Sequence, residues 1–410
     1  MERTIGPSVG PMDLLGFVKM VVRIGTVAVC GGLFFFVWQD RYRNLALRLL
    51  LPMIAFTALA LFSTLWSPLK VITAGQALSL ASQLALAAAL AVWCRDWQDL
   101  SRTFAVLTVM LLAISCLALA VHFLVPSLSS LTREENNDGL IHPTNASANA
   151  YLGLVLLQVG FFVFRWKLRV PLALVGLLVH GLILTLALNR AGFVALMLAS
   201  LVIQTVCGSR KLTAALAALT CISLLGYLAI DPQLRAIEPL TEKVGDFAAR
   251  GQNERQLKSL SGRDVLWKKI WDSHLESPWI GHGYFVTTKT GVLRVWNTEE
   301  NRTAHNFVLQ ILVTTGWIGL SLWTIGLLVP IGYIARRLRE RTGDRNLLYA
   351  LGAVLLWFTV WGLTNESITG PTTPETVAYF VILGSSLGYA LHRPGLERSR
   401  NIRATGGNPG

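Results

Sequence analysis

Residues 103–126 read TFAVLTVMLLAISCLALAVHFLVP, 24 positions without a lysine, arginine, aspartate or glutamate. As a helix rising about 1.5 Å per residue, such a run is long enough to cross a hydrocarbon core of roughly 30 Å. A polypeptide can cross lipid only if its backbone N–H and C=O groups are satisfied internally, and a helix does this within one segment. Further apolar runs occur at 15–39, 45–66, 71–93, 149–164, 170–188, 190–206, 211–230, 317–335, 346–363 and 375–391, giving eleven spans. Lys19 and Arg23 lie inside the first run, and two runs crowd against Asn189-Arg190, so the count is bounded at ten to twelve. Composition points the same way: 53% of the 410 residues are hydrophobic, only 14% are charged, and mean hydropathy is +0.52. Soluble domains carry about 25% charged residues. The expected fold class is therefore an all-α polytopic membrane protein. The first run is not followed by a small-residue cleavage pattern and is expected to remain as an anchor.

The apolar pattern is interrupted once at length. From Asp231 to Ala304 no membrane-length run occurs, and the chain then returns to apolar sequence at His305-Asn306. The expected organisation is a transmembrane bundle over 1–230, an extracytoplasmic, partly helical loop over 231–304, a re-entry helix and the last spans over 305–391, and a disordered cytoplasmic tail over 392–410. Its side of the membrane follows from charge. Alternate loops counted back from the C-terminus (392–403, 336–345, 207–211, 165–169, 94–102 and 40–48) hold 19 of the 36 lysines and arginines. The short loops 67–70, 127–148, 189–190 and 364–375 hold one or none each. Positive loops stay in the cytoplasm, which turns the 231–304 insert outward. The net charge of +13 is thus mostly a topology signal, and no nucleic-acid partner is expected. Cys30, Cys94, Cys116, Cys207 and Cys221 lie in or beside the apolar runs, which suggests neither a disulfide framework nor a thiolate metal site.

Within the insert, Ser261 and Asp264 have capping-box spacing, so Arg263 falls in the first turn of a helix that should stop before Pro278. Leu266, Trp267, Ile270 and Trp271 follow at helical spacing as one stripe. Gly281-His282-Gly283-Tyr284 reads as a turn near the membrane surface. From Ala304 a second short helix is expected, closed at Gly316, with Phe307, Val308, Ile311 and Leu312 on a face suited to the interface. His305 stands at its N-terminus, where the helix dipole disfavours a cation and keeps the imidazole neutral, able to accept a proton.

Arg190 occupies an outward turn so short that it lies at the lipid boundary, where a guanidinium faces either a wet cavity or snorkels. Its fork suits a phosphate. Arg263 alone would be an ordinary solvated arginine, and His282 alone a turn histidine. His180, mid-span, reads as an internal hydrogen-bonding residue rather than a ligand. Glu366, in an outward loop, suits either pairing with an arginine or acid/base work. The tryptophans of the insert could stack on sugar rings or sit as interfacial anchors. No phosphate-binding loop or dinucleotide fingerprint is present, and no His or acidic spacing suits a metal, so neither a cofactor nor a metal is expected.

Together, SGRDVLWKKIWDSHLESPWIGHGYF (261–285) and TAHNFVLQILVTTGWIGLSLW (303–323) resemble the O-antigen ligase and O-antigen polymerase family of bacterial envelope enzymes, including exopolysaccharide polymerases. The matching features are the Gly-Arg…Trp…Pro-x-x-Gly-x-Gly block and the His-Asn…Gly-x-x-Gly block. Leu65-Trp66-Ser67, Asn189-Arg190-Ala191-Gly192 and Asn365-Glu366-Ser367 are weaker echoes. Many members carry Ser or Thr where Asn189 stands, and 139–153 matches loosely. The resemblance implies a GT-C-like membrane glycosyltransferase, metal-independent and inverting, on the outer face of the inner membrane. It implies a donor glycan on undecaprenyl diphosphate, an acceptor that is a second glycan or the lipid A core, and polysaccharide-assembly partners. It implies that Arg190 and Arg263 hold the diphosphate and that His305 orients or deprotonates the acceptor. His282, Tyr284, Asn306 and Glu366 are then further substrate-binding candidates. The competing readings are a flippase for the lipid-linked unit, which would be expected to show paired halves or broken helices around a midplane site, and a structural member of an envelope complex.

Overall fold

The computed structural model describes residues 14–37, 42–126, 129, 131, 142–187, 189–208, 263–285, 304–340, 342–365, 368–369 and 373–392. Their main elements are helices: α1 (Leu14–Gly32), α2 (Arg43–Phe62), α3 (Lys70–Trp93), α4 (Trp97–Leu124), α5 (Pro143–Val159), α6 (Arg169–Ala187), α7 (Arg190–Cys207), α8 (Arg263–Glu276), α9 (Phe307–Arg339), α10 (Arg345–Gly362) and α11 (Pro374–His392). Among the described residues, seven segments are long and apolar enough to cross a membrane: Phe17–Phe36, Arg43–Leu65, Lys70–Trp93, Trp97–Leu124, Pro143–Phe164, Arg169–Ala187 and Phe307–Arg339. The chain is thus an all-α, multi-pass membrane protein. A shorter apolar helix, Ala191–Cys207, lies at the expected position 190–206, and α10 and α11 lie at the expected positions 346–363 and 375–391. The expected span 211–230, most of the 231–304 insert and the 393–410 tail lie outside the described residues.

Contacts divide the chain into two compact units. The first comprises residues 1–106, 266–345 and 362–410. In it α3 lies between α1 and α11, and α2 packs on α9 and α3. Small residues set the close approaches. Gly384 and Gly388 present bare backbone to Ala87, Leu90 and Ala91 of α3 and to Cys94 just after it, and Gly326 does the same to Met53 of α2. In lipid, where apolar burial between helices gains little, such small-residue contacts are how helices associate. At the basic end, Tyr389 donates to Asp344 at 3.0 Å and Arg337 pairs with Glu340 at 3.0 Å.

The second unit comprises residues 107–265 and 346–361. Here α5 packs against α6 and α7. His180 is fully buried with Nδ1 3.1 Å from the Ser115 hydroxyl, and Gly153 makes room for its ring. This is the internal hydrogen-bonding role expected for it. Gln158 donates to Ser200 at 2.8 Å, a polar tie between α5 and α7.

Two expectations about faces need correction. Trp271 does not join Leu266 and Ile270 in a buried stripe: those two are buried, Trp267 is half-buried, and Trp271 is 40% exposed. The helix turns by about 100° per residue, which carries Trp271 off the buried side. The start of α9 is not an interfacial helix either. Phe307, Ile311 and Leu312 are buried, as is every residue from Gln310 to Gly316. That segment is inside the protein because α8 and the turn after it cover it.

Candidate functional site

The first unit brings the two sequence blocks together through their backbones. Pro278 cannot continue a helix, and α8 ends at Glu276. The chain turns with Gly281 N–H on the Ser277 carbonyl at 3.0 Å and the Ser277 hydroxyl on the Gly281 carbonyl at 3.0 Å. Opposite it, α9 is broken at Gly316, whose φ of 66° and ψ of −167° are non-helical. In an unbroken helix the N–H groups of Trp317 and Ile318 would bond the carbonyls of Val313 and Thr314. Instead Trp317 donates to Pro278 at 2.8 Å and Ile318 to Trp279 at 3.2 Å. The vacated carbonyls of Val313 and Thr314 accept from His282 and Gly283, both at 3.0 Å. Four main-chain groups that a break would orphan are thus all satisfied by the turn.

The glycines allow this contact. Gly281 has φ +64° and Gly283 φ +116°, a region that other residues enter at a cost. A Cβ on Gly281 would fall on the Thr314–Thr315 backbone, and one on Gly316 on the Trp279–Ile280 backbone. A Cβ on Gly283 would meet Ser67, so the Leu65-Trp66-Ser67 echo belongs to this assembly. Ser63, two residues earlier, accepts the Tyr284 N–H at 2.9 Å. Tyr284 itself is buried, with its hydroxyl donating to the Thr369 carbonyl at 3.1 Å, and burial pushes its pKa up.

His305 stands at the mouth of α9 in a left-handed conformation, φ +46°. Such a conformation is uncommon for a side-chain-bearing residue and persists where its surroundings hold it. Ala304 is clasped on both sides: its N–H donates to Gln310 Oε1 at 3.1 Å, and its carbonyl accepts from Trp267 Nε1 at 2.9 Å. Asn306 caps α9 by accepting from Val308 at 2.9 Å and Leu309 at 3.1 Å, and its amide donates to the Leu363 carbonyl at 3.3 Å. Sequence reasoning treated Trp267 as a sugar-stacking or anchoring tryptophan and did not single out Gln310. A glutamine three residues into an apolar helix, buried to 1% exposure, was the available signal.

Arg263 opens α8, one turn before Trp267, so the helix carrying Arg263 is tied to the residue preceding His305. Beneath it, Leu266 and Ile270 pack with Leu69, Ala304 and Val313. His274 is buried with Nδ1 on the Leu312 carbonyl at 3.0 Å. Burial lowers its pKa, the Leu312 carbonyl opposes this, and neighbouring His282 lowers it further. His282 uses Nε2 to bond the Ser273 carbonyl at 2.9 Å. Both histidines therefore fasten α8 and its turn.

In the second unit, Arg190 opens α7. Asn189 caps that helix, its side chain accepting from Gly192 at 3.3 Å and its carbonyl from the Tyr151 hydroxyl at 2.6 Å. Gly192 leaves room for Tyr151 and Trp361. Among the sequence candidates, the first unit gathers His282, Tyr284, His305 and Asn306, while Arg263, the first residue of α8, is counted with the second unit. Arg190 is positioned within the second unit, and Glu366 lies outside the described residues. No cluster of His, Cys, Asp and Glu among the described residues would hold a metal ion.

Residues 175–324 match the family model described as O-antigen ligase. An O-antigen ligase of Pseudomonas aeruginosa is 24% identical over 199 residues, covering 48% of this chain and 43% of that protein. The chain thus matches less than half the length of that relative. The matched segment contains Arg190, Arg263, His282, Tyr284, His305 and Asn306. The chain is a multi-pass helical membrane protein whose residues 175–324 match the O-antigen ligase domain.

Proposed function

We propose that the protein is an inverting, metal-independent glycosyltransferase of the bacterial inner membrane, with eleven spans in a GT-C-like bundle and its site on the periplasmic side. The donor is a glycan on undecaprenyl diphosphate, and the acceptor is a hydroxyl of a second lipid-linked glycan or of a lipid A core sugar. The observation that carries this reading is the clasp on Ala304, which presents His305 beside the helix that begins with Arg263. Two guanidiniums, Arg190 and Arg263, would stabilise charge as the diphosphate leaves. The His305 imidazole would take the proton from the acceptor oxygen as that oxygen attacks the anomeric carbon from the face opposite the leaving group. The C1–O bond to diphosphate breaks, the new C1–O bond forms, and the product anomer is inverted.

The test is purified protein in liposomes with a defined lipid-linked donor, EDTA and no ion gradient. A new glycosidic bond of inverted configuration is expected, and mass spectrometry of the product separates the two acceptors. His305→Ala should lower kcat by about 10²–10⁴-fold, the range for loss of a general base. Arg190→Ala and Arg263→Ala should lower it by about 10²–10³-fold, as for loss of an oxyanion donor. Full activity in all three variants, or translocation without bond formation by the wild type, would overturn the reading.

A further inference from the structure

Around α8 the residues fall into three sectors rather than two. Leu266, Ile270, Ser273 and His274 are buried against α9 and its neighbours, while Lys268, Lys269, Asp272 and Glu276 are exposed and charged. Between these sectors lies a stripe that is apolar and exposed: Trp271 at 40% and Leu275 at 56%. The turn extends it with Trp279 at 66% and Ile280 at 40%. The stripe does not stop there. The Trp271 ring lies 6.5 Å from that of Trp317, and Trp279 accepts the N–H of Ile318. Trp317 and Ile318 are 40% and 42% exposed, and Ile318, Ile325 and Val329 form an exposed face at helical spacing along the membrane-crossing part of α9.

Height fixes where this patch sits. Arg336 lies nineteen positions after Trp317, a rise of roughly 29 Å in a helix. That is close to the thickness of the hydrocarbon core, about 30 Å. With the Arg336, Arg337 and Arg339 cluster at one boundary, the tryptophans stand at the other, the level at which indoles anchor membrane proteins.

We propose that Trp271, Leu275, Trp279 and Ile280, with Trp317 and Ile318, form a bilayer-docking surface that seats α8 in the headgroup–acyl boundary. The occupant is lipid because the patch runs without interruption into the lipid-facing stripe of α9. Lys268, next to Leu275 around the helix, lies at the phosphate level, and the charged sector faces water. The α8 helix is therefore held from two sides, by α9 through its buried sector and by the membrane through its apolar stripe. This inference is independent of the reaction proposed above.

The test uses the full-length protein with its native cysteines replaced by serine and one cysteine introduced as L275C or W279C, with K269C as the water-facing control. Each is labelled with an environment-sensitive fluorophore and reconstituted in nanodiscs of phosphatidylethanolamine and phosphatidylglycerol. Labels at 275 and 279 should be blue-shifted, quenched by lipid spin-labelled near the headgroup, and shielded from iodide. The 269 label should show the reverse. Iodide quenching at 275 and 279 equal to that at 269 would overturn the proposal. So would shielding without spin-label quenching, which would mean that protein, including a second copy of the chain, covers the patch.

Discussion

Ala304 illustrates how a few hydrogen bonds can hold a candidate catalytic side chain without touching it. Gln310 and Trp267 bond its two main-chain groups, and His305 inherits the result. Gln310→Leu would leave the buried Ala304 N–H without an acceptor, a loss of about 1–3 kcal/mol. In the glycosyl-transfer assay this variant is expected to lower kcat more than KM while still inserting in the membrane, and Gln310→Glu should recover part of the loss. An unchanged kcat in Gln310→Leu would show that the clasp does not position His305. The histidine pair was legible as residue type but not as role: nothing in the spacing of His274 and His282 shows that each ends on a carbonyl. His274 also sets an acid limit. Its native pKa lies below the ordinary value, so above about pH 6.5 it is neutral whether the chain is folded or not. Below that, the unfolded form gains a proton that the folded form resists, and stability falls as pH drops through the native pKa. Acid loosening of α8, read as hydrogen exchange over 263–276, should therefore begin below about pH 6.5 and be reduced in His274→Asn, which keeps a donor for the Leu312 carbonyl.

At the level of elements, the sequence announced the break in α9 and the stop of α8. Gly316 and Pro278 carry local meanings that no tertiary contact can reverse. What it left unread was that these two interruptions complete one another, since periodicity is blind to backbone groups on a distant segment. The same blindness assigned Phe307, Ile311 and Leu312 to the interface: an apolar face is the same pattern whether protein or lipid covers it. Gly316→Ala should be costly beyond the usual penalty of about 1 kcal/mol for a strained backbone, because its methyl meets the Trp279 main chain. The expected readout is faster exchange of the Trp317 and Ile318 amides together with those of His282 and Gly283. Independent behaviour of the two pairs would mean the exchange is not cooperative.

For the whole molecule, hydropathy and charge were sufficient for class. A chain with 14% charged residues and repeated 20-residue apolar runs has few folded alternatives to a helical membrane bundle. Counting helices was harder, because α10 and α11 are rich in residues of middling hydropathy such as Trp, Tyr, Gly and Ser. The positive-inside assignment makes its own prediction. In a cysteine-free background, Arg250→Cys should react with an impermeant maleimide in intact spheroplasts, and Arg341→Cys only after permeabilisation. The opposite pattern would turn the molecule over.

The fastening between the turn and α9 is made of peptide groups, so almost none of it is written in side chains. Pro278, Trp279, Val313, Thr314, Trp317 and Ile318 contribute carbonyls or amides that most substituted residues would also supply. Only the glycines cannot be exchanged without obstruction. In a saturation library selected for surface polysaccharide, this region should therefore tolerate broad replacement around three intolerant points, Gly281, Gly283 and Gly316. Sequences that have drifted far apart elsewhere could keep the same junction with little more than those three positions in common.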